Sequence, residues 1–468
     1  MGESDVHLKH QSTNQGPRFK RALSLQYGNR AQDQLNWAGS AYDRRDSHKP
    51  QPLRLRSIPI SGSGRVGVDM RVLLSAFQCS PGWGSEPGNG WHWATALAEH
   101  GHEVTVLTTS DAKEDVLAAD PQGIDFRFID VPTSHVRHFS RHLARYPVYL
   151  RWQEAAFRHV ERTSQQYDVA HHVTFASLHL GSMLWRLPVP LVYGPIGGGQ
   201  LFPVNYWRYF SSKLPWEIFR STFAGPLLPF NRWSRDTLRN SAVTLVANSP
   251  TAASARRQGA ADVRFMMADA LPPEWITEPR TRPTGTPVVL CVGRLLPHKA
   301  PVLAVRAFAI LRRTMAARLV FVGAGPLAGE VRAAADRLGV AQDVELLGRV
   351  PTLDDVKRQY DSATAFLFTS LRDTFGAPFL EALGRGLPAV AVDLNGISDA
   401  DTGVAALKVA PTRKPSDLPG RIASALQTLL SDDEWESRSA VAIKWASEQV
   451  WPARAAAATQ LYREIVGS

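Results

Sequence analysis

Short apolar runs alternate with longer amphipathic stretches along the chain from Met70 onward. An apolar run at 70–77 leads through a glycine-containing loop into a helical pattern from about residue 89 to 100. Four more strand-like runs follow, at 103–109, 169–175, 190–196 and 242–248. Such alternation of strands and helices is typical of a doubly wound parallel sheet, so we predict one α/β domain over residues 66–271.

A second run of the same kind begins near residue 286. The strand-like segments "TPVVLCVGR", "ARLVFVGAG", "VELLGRV" and "TAFLFTS" are separated by helical patterns at 300–313, 327–338 and 353–359. The intervening stretch 272–287 is rich in Pro and Arg and reads as a linker. We therefore expect a second Rossmann-like domain at 288–432 and a helical segment at 433–468 that packs back on both. Open sheets of this kind bind ligands at the carboxyl ends of their strands, which places the site in the cleft between the domains.

Residues 1–65 are polar, aperiodic and rich in Gln, Arg and Ser, and we expect this basic leader to be disordered because it cannot bury enough apolar surface. One interpretation is that the natural protein begins at Met70. No apolar run is long enough to cross a bilayer, no secretory signal is evident, and the two cysteines read as unpaired thiols. We expect a cytoplasmic protein, with contact at the inner face of the cell membrane as an open alternative.

The formal net charge of +10 over 468 residues allows an anionic partner, whether a nucleotide, a nucleic acid or a membrane. The basic residues that can be placed lie on predicted cleft loops beside acids, which weighs against nucleic acid. Arg294 and Lys299 follow a strand directly and suit a diphosphate, one as a planar fork and one as a point charge. Taken alone, the two residues fit a surface pair that caps a helix better than a diphosphate site.

The stretch "DTFGAPFLEALGRGLP" places Asp373 in a loop that enters the cleft and Glu381 near the start of the following helix. Pro378 suits the first turn of that helix. The N–H groups of Thr374, Phe375 and Gly376 are then free to face an anion. A nucleotide sugar lying along this loop would use all of these groups. Asp373 would accept hydrogen bonds from the hydroxyls of the sugar, and Glu381 would accept them from the hydroxyls of the ribose.

The segments "GRLLPHK", "VGAGPL", "LLGRV" and "DTFGAPFLEALGRGLPAVAVD" resemble, in order and spacing, the donor domain of the retaining glycosyltransferases of family four. "GWGSEPGNGW", "HHVTF" and "YGPIGGG" in the first half are similar to one bacterial branch. The resemblance implies the GT-B fold, two Rossmann-like domains facing across a cleft. It implies a retaining transfer from a nucleotide sugar to a glycan, lipid-linked or small-molecule acceptor, as in polysaccharide biosynthesis, with no metal ion and no bound cofactor.

The resemblance also implies roles for residues of both domains. The catalytic set is Arg294, Lys299, Asp373, Glu381 and one or both of His171 and His172. The donor-binding set is Gly84, Ser85, Gly293, Gly325, Pro326, Leu327, Arg349, Val350, Thr374, Phe375 and Gly376. The acceptor-binding set is Glu86, Gly197 and Gly198.

The chain departs from the family at two of these places. Asp373 stands where a Glu is usual, which shortens the reach by one methylene. His171 and His172 are adjacent and therefore point to opposite faces of a strand, so only one can face the cleft. "DAD" at 399–401 lies beyond the loop that carries Asp373, which we call the donor loop, and we expect it to bind no metal.

Aromatic and basic residues crowd the stretch 201–239, where two interpretations remain open: contact with an anionic bilayer, or packing over the acceptor cleft. Two other functions also remain open. A nucleotide-sugar epimerase on the same fold would need no acceptor, and a non-catalytic protein would use the positive charge to bind anions or membranes.

Overall fold

The computed structural model describes residues 70–81, 86–132, 141–210, 214–224 and 231–467. The predicted leader at 1–65 and the predicted site residues Gly84 and Ser85 lie outside the described residues. The described chain forms two parallel β-sheets, each flanked by helices, as the alternating pattern predicts.

The first sheet contains seven parallel strands in the order β3-β2-β1-β4-β5-β6-β7. Strands β4 and β5 are buried along their whole length, which is expected of a parallel sheet covered by helices on both faces. The strands are β1 Arg71–Ala76, β2 Glu103–Thr108, β3 Ile124–Phe128, β4 Val169–Thr174, β5 Leu191–Ile196, β6 Val243–Val246 and β7 Val263–Phe265. The helices are α1 Glu86–Glu99, α2 Lys113–Ala118, α3 Arg141–Glu161, α4 Leu214–Ala224, α5 Arg232–Asn240 and α6 Ser249–Arg257.

The second sheet contains six parallel strands in the order β10-β9-β8-β11-β12-β13. The strands are β8 Val288–Val292, β9 Arg318–Val322, β10 Val344–Gly348, β11 Ala365–Phe368, β12 Ala389–Val392 and β13 Ala406–Val409. The helices are α7 Pro301–Leu311, α8 Ala328–Arg337, α9 Leu353–Ser362, α10 Ala377–Gly384, α11 Gly396–Asp399 and α12 Leu418–Leu430. Strand β8 lies in the middle of this sheet, so the loop that follows it opens at the centre of the carboxyl edge.

The last two helices, α13 Trp435–Ser447 and α14 Trp451–Val466, pack on different domains. Trp435 of α13 is buried in the second domain, where its indole N–H donates a 2.8 Å hydrogen bond to the carbonyl of Thr364. Trp451 and Tyr462 of α14 are buried in the core of the first domain. The end of the chain therefore crosses from the second domain back to the first.

Part of the aromatic stretch after β5 packs into the second domain rather than over the acceptor cleft. Phe202, Tyr206 and Phe210 are buried in the same hydrophobic cluster as the strands and helices of the second domain. The Tyr206 hydroxyl donates to the Thr412 carbonyl at 3.1 Å and accepts from the Thr412 N–H at 2.8 Å. Trp207, on the opposite face, is 49% exposed. None of the described helices combines the length and the apolar character needed to cross a bilayer.

Candidate functional site

Lys299 and Asp373 form an ion pair at the carboxyl edge of the second sheet. Strand β8 ends at Val292, and the loop after it closes into a short 3-10 turn at Pro297–Lys299 that turns the lysine toward the cleft. The Lys299 ammonium also lies 5.6 Å from the centroid of the Phe368 ring at the end of β11. Both members of the pair keep about a quarter of their side-chain surface exposed, so a ligand can reach them.

Arg294 lies beside this pair on an open pocket of about 360 Å³, whose lining includes Gly293, Lys299 and Phe368. The side chain is exposed, and its guanidinium has no hydrogen-bond or ion-pair partner among the described residues. An exposed and unpaired guanidinium next to a lysine can neutralise an anion in the pocket.

Glu381 lies on α10, where the Tyr360 hydroxyl of α9 donates a 2.7 Å hydrogen bond to its Oε2. Burial, reinforced by the nearby charge of Asp269, raises the pKa of Glu381 to about 7, and the hydrogen bond from Tyr360 partly offsets this rise. Glu381 therefore changes its charge near neutral pH, unlike an ordinary surface glutamate.

The backbone between the two acids runs directly against the end of β11. Gly376 has φ of +112°, and a Cβ at this position would lie 2.4 Å from the Phe368 ring, so no other residue fits here. The N–H of Thr374 donates to Asp373 Oδ1 at 3.1 Å. The expectation that the Thr374 N–H is free for a ligand is therefore wrong, because Asp373 already occupies it. No backbone hydrogen bond within the described residues uses the N–H of Phe375 or Gly376.

The remaining predicted donor residues follow two neighbouring strands, β9 and β10, on the same edge. Gly325 packs against the backbone of Leu295 in the loop after β8. Pro326 is exposed, whereas the Leu327 side chain is buried in the hydrophobic core and presents nothing to a ligand. Arg349 is exposed and Val350 packs against the core on the other face of the sheet. Of these residues, Pro326 and Arg349 have the side chains that can contact a base or ribose.

The two histidines of β4 point to opposite faces, as predicted, but neither reaches the cleft. Both are fully buried. The Gly194 carbonyl, 2.7 Å from His171 Nε2, can only accept, so Nε2 carries the proton and Nδ1 accepts from the Tyr462 hydroxyl at 2.5 Å. His172 contacts Ser75 Oγ at 2.9 Å through Nδ1 and the Tyr149 hydroxyl at 3.1 Å through Nε2.

Burial lowers the pKa of His171 to about 4 and that of His172 to about 3, so both rings are neutral at physiological pH. Each ring uses both nitrogens within its own domain. Neither histidine therefore has a free ring nitrogen in this arrangement with which to make the expected contact with the transferred sugar. Both histidines instead stabilise the packing of the sheet.

The predicted acceptor residues lie on loops of the first domain that face the donor loop. Glu86, in the first turn of α1, accepts a hydrogen bond from the backbone N–H of Phe175 at the end of β4. Gly197 lies so close to the second domain that a Cβ there would be 2.8 Å from Thr374 Oγ1. Gly198 follows, and its N–H donates to the Gln200 side chain at 2.8 Å. The structure thus brings this loop to Thr374 itself.

Asp269, which the sequence analysis did not single out, lies in the segment after β7 that leads toward the second domain. Asn89 of α1 donates a 2.9 Å hydrogen bond to Asp269 Oδ1. Burial, together with the charge of Asp373, raises the pKa of Asp269, whereas the Asn89 hydrogen bond and the cations Lys299 and Arg454 lower it. Asp269 therefore interacts electrostatically with Lys299 and Asp373 and also with Glu381, whose pKa its charge raises.

The acidic triplet at 399–401 has a different environment from that of a metal site. Asp399 accepts hydrogen bonds from the N–H and the hydroxyl of Ser249, at 2.7 and 2.5 Å, and so joins α11 to the start of α6 in the first domain. Within the described residues, no group of three or more His, Cys, Asp or Glu side chains is arranged to hold a metal ion.

The two halves of the chain match two related family models. Residues 91–268 match the model described as a glycosyl transferase 4-like domain, and residues 286–432 match the model described as glycosyl transferases group 1. These matches cover strands β2 to β13 and the segments that carry Lys299, Asp373 and Glu381. The chain belongs to the group 1 glycosyltransferases.

Curated relatives include two enzymes named D-inositol 3-phosphate glycosyltransferase. That of Frankia alni is 34% identical over 38% of this chain and 46% of the relative, and that of Corynebacterium glutamicum is 30% identical over 40% and 45%. A GDP-mannose-dependent alpha-(1-6)-phosphatidylinositol monomannoside mannosyltransferase of Mycobacterium tuberculosis is 34% identical over 24% of this chain and 30% of its own. The chain spans about half the length of the first two relatives.

Solved structures with the same architecture include the sucrose-phosphate synthase of Thermosynechococcus elongatus, with a TM-score of 0.59 at 18% identity over 85% of this chain and 99% of that one. HepE of Anabaena, solved in complex with UDP and glucose, has a TM-score of 0.55 at 17% identity over 85% and 100%. These likenesses establish the two-domain α/β fold called GT-B.

Proposed function

We propose that this protein is a retaining glycosyltransferase that moves a sugar from a nucleoside-diphosphate sugar to a hydroxyl group of an acceptor. The observation that carries the proposal is the Lys299–Asp373 ion pair beside the unpaired Arg294 at the pocket, with Glu381 on α10, the helix that follows Asp373. The cations suit a diphosphate, and the two carboxylates suit the hydroxyls of a sugar and a ribose. Membership of the group 1 family supports the same assignment.

In the proposed reaction, the bond between C1 of the sugar and the phosphate oxygen breaks. The acceptor oxygen forms a new bond to C1 on the same face, and the acceptor proton passes to an oxygen of the departing nucleoside diphosphate. Arg294 and Lys299 stabilise the negative charge that develops on the leaving group, since fixed charges act strongly in a partly dehydrated site. The N–H groups of Phe375 and Gly376, before α10, add to this stabilisation. Since these groups supply the charge, the proposed reaction needs no metal ion.

The names of the relatives suggest the substrates to try first. Enzymes named after D-inositol 3-phosphate and after phosphatidylinositol monomannoside favour a phosphorylated polyol or a glycolipid as acceptor. The GDP-mannose dependence of one relative and the UDP bound to HepE favour nucleotides with either base. A lipid-linked acceptor would bring the protein to the membrane, and the exposed Trp207 is compatible with that contact.

A thermal-shift screen of UDP, GDP, UDP-glucose and GDP-mannose identifies the donor, and incubation with and without acceptors then tests transfer. We expect the diphosphate to be released mainly when an acceptor is present, in EDTA as well as in buffer, and product NMR to show the donor's anomeric configuration. Conversion of the nucleotide sugar to an isomer without acceptor would favour the epimerase. Stabilisation by none of the four compounds would refute the proposal, and activity that is lost in EDTA and restored by Mn²⁺ would refute metal independence.

A further inference from the structure

Two side chains of the first domain hold Thr374, the residue that follows Asp373 in the donor loop. Gln200 Nε2 donates a 3.1 Å hydrogen bond to Thr374 Oγ1. Asn248 Nδ2 donates a 3.1 Å hydrogen bond to the Thr374 carbonyl. The donor loop is thus held by hydrogen bonds from the first domain as well as by contacts within the second domain.

The first domain orients both amides before they reach Thr374. The N–H of Gly198 donates to Gln200 Oε1 at 2.8 Å, so the amide nitrogen of Gln200 faces the second domain. Asn248 caps α6, and its Oδ1 accepts from the N–H and the hydroxyl of Thr251 at 3.0 and 2.7 Å. In both amides the oxygen is used inside the first domain and the nitrogen is left to donate across the cleft.

Thr374 connects the amides of Gln200 and Asn248 to the Lys299–Asp373 ion pair. Its N–H donates to Asp373 Oδ1 at 3.1 Å, and the other oxygen of that carboxylate pairs with Lys299. A shift of Thr374 would therefore rotate the Asp373 carboxylate or break its hydrogen bond with the Thr374 N–H, while Lys299 and Ser370 Oγ hold its other oxygen. The close approach of Gly197 leaves little room for such a shift while the domains are in contact.

We propose that Gln200 and Asn248 are positioning residues that hold Thr374, and through it Asp373, in the orientation that binds the transferred sugar. The inference rests on the function proposed above and adds a requirement to it. The nucleotide half of the donor binds to the second domain alone, whereas the sugar half is held fully only when the first domain contacts Thr374. This arrangement couples binding of the donor sugar to the contact between the domains at Thr374.

The experiment compares binding of GDP with GDP-mannose, and of UDP with UDP-glucose, in matched variants by calorimetry. Thr374→Val keeps the shape but removes the hydroxyl, Thr374→Ser restores it, and Gln200→Met removes the amide at similar volume. The control is Tyr206→Phe, which removes a hydrogen bond between the domains away from the site.

We expect Thr374→Val and Gln200→Met each to weaken the preferred nucleotide sugar about tenfold, the loss typical of one partly buried hydrogen bond, and to leave the diphosphate within about twofold. Thr374→Ser and Tyr206→Phe should resemble the wild type. The double variant Gln200→Met/Thr374→Val should bind the nucleotide sugar no more weakly than Gln200→Met, which already lacks the Thr374 contact as well as the hydrogen bond from the Gly198 N–H. A merely structural role would not produce this split between the two ligands.

Several results would overturn this inference and leave the proposed function in place. They are additive losses in the double variant, an equal loss of affinity for the diphosphate and the nucleotide sugar, or a loss in Tyr206→Phe as large as that in Thr374→Val. Wild-type affinity in all variants would do so as well. Binding of none of the four probes by the wild-type protein would overturn the proposed function and this inference with it. Melting temperatures, measured for every variant alongside binding, identify any variant that loses the fold. Where one does, Thr374→Ser is the variant that is compared with the wild type.

Discussion

The Tyr360 hydroxyl and the Glu381 carboxylate form a 2.7 Å hydrogen bond that joins α9 to α10 at the cleft. Tyr360 is fully buried, and burial raises its own pKa well above that of a free tyrosine, so it remains a donor at any physiological pH. Burial raises the pKa of Glu381 to about 7, whereas this hydrogen bond stabilises the ionised form. The pair therefore sets the pH at which Glu381 becomes an anion.

Nucleoside-diphosphate affinity should fall as the pH drops through about 7, because only ionised Glu381 accepts hydrogen bonds from both ribose hydroxyls. Tyr360→Phe removes the contact that favours the anion, so the midpoint should move to higher pH. Calorimetry from pH 5.5 to about 8.5 measures both effects. Glu381→Gln should give a flat profile at low affinity, and Tyr206→Phe, another buried tyrosine, should leave the midpoint unchanged. A midpoint that Tyr360→Phe leaves in place would contradict the assignment.

Lys299→Ala and Arg294→Ala should each lower turnover by about two orders of magnitude or more, close to 3 kcal/mol of transition-state stabilisation, with the fold retained. Each change removes a cation directed at the charge that develops on the leaving diphosphate. Lys299→Ala also leaves the Asp373 carboxylate without its ion-pair partner. Steady-state kinetics and melting temperatures make the measurement, and Arg306→Ala, which removes a cation remote from the pocket, is the control. Near-normal turnover in both variants would exclude the diphosphate role.

The sequence predicted the two sheets because fully buried parallel strands such as β5 and β11 read as continuous apolar runs. It did not reveal β3, β7, β12 or β13. Strand β3 lies at a sheet edge and mixes Asp and Arg with its apolar residues, and β7 has only three residues. Overlooking β7 had a chemical consequence, because Asp269 follows it and belongs to the site.

Local pattern also cannot reveal partners that are distant along the chain. The strand periodicity placed His171 and His172 on opposite faces, but the hydroxyl that engages His171 belongs to Tyr462, 291 residues away. The Thr374 N–H shows a different limit, because its partner is the adjacent residue Asp373 and only the conformation of that side chain decides whether the contact forms. The loop motif predicted which residues face a donor, whereas the hydrogen-bond partners of these residues depend on the packed structure.

Asp269→Asn should lower the pH midpoint of nucleoside-diphosphate binding, the opposite of the shift expected for Tyr360→Phe. The charge of Asp269 raises the pKa of Glu381, so a neutral residue at 269 makes Glu381 easier to ionise. The asparagine keeps an oxygen that accepts from Asn89, which leaves the local contact in place. The same calorimetric series measures the shift, and Asp262→Asn, on the preceding strand segment, controls for a general change in charge. An upward shift, or none, would remove Asp269 from the electrostatics of the site.

Neutralising Asp373 and neutralising Glu381 should weaken the binding of different parts of the donor. Glu381→Gln loses charge-assisted hydrogen bonds to ribose, so affinity for the free nucleoside diphosphate should fall by about 1.5–3 kcal/mol. Asp373→Asn should leave that affinity nearly unchanged, because the nucleoside diphosphate lacks the transferred sugar and Lys299 stays available to it. It should instead weaken the nucleotide sugar and lower turnover.

Calorimetry with the diphosphate and the nucleotide sugar on both variants decides this division, and Asp373→Glu provides the matched control. That variant retains the charge that pairs with Lys299 and adds one methylene of reach, so we expect diphosphate affinity like that of the wild type and a changed preference among donor sugars. Equal loss of the diphosphate in Asp373→Asn and Glu381→Gln would show that the two acids act on the same part of the ligand. Loss in neither would show that the donor lies elsewhere in the cleft.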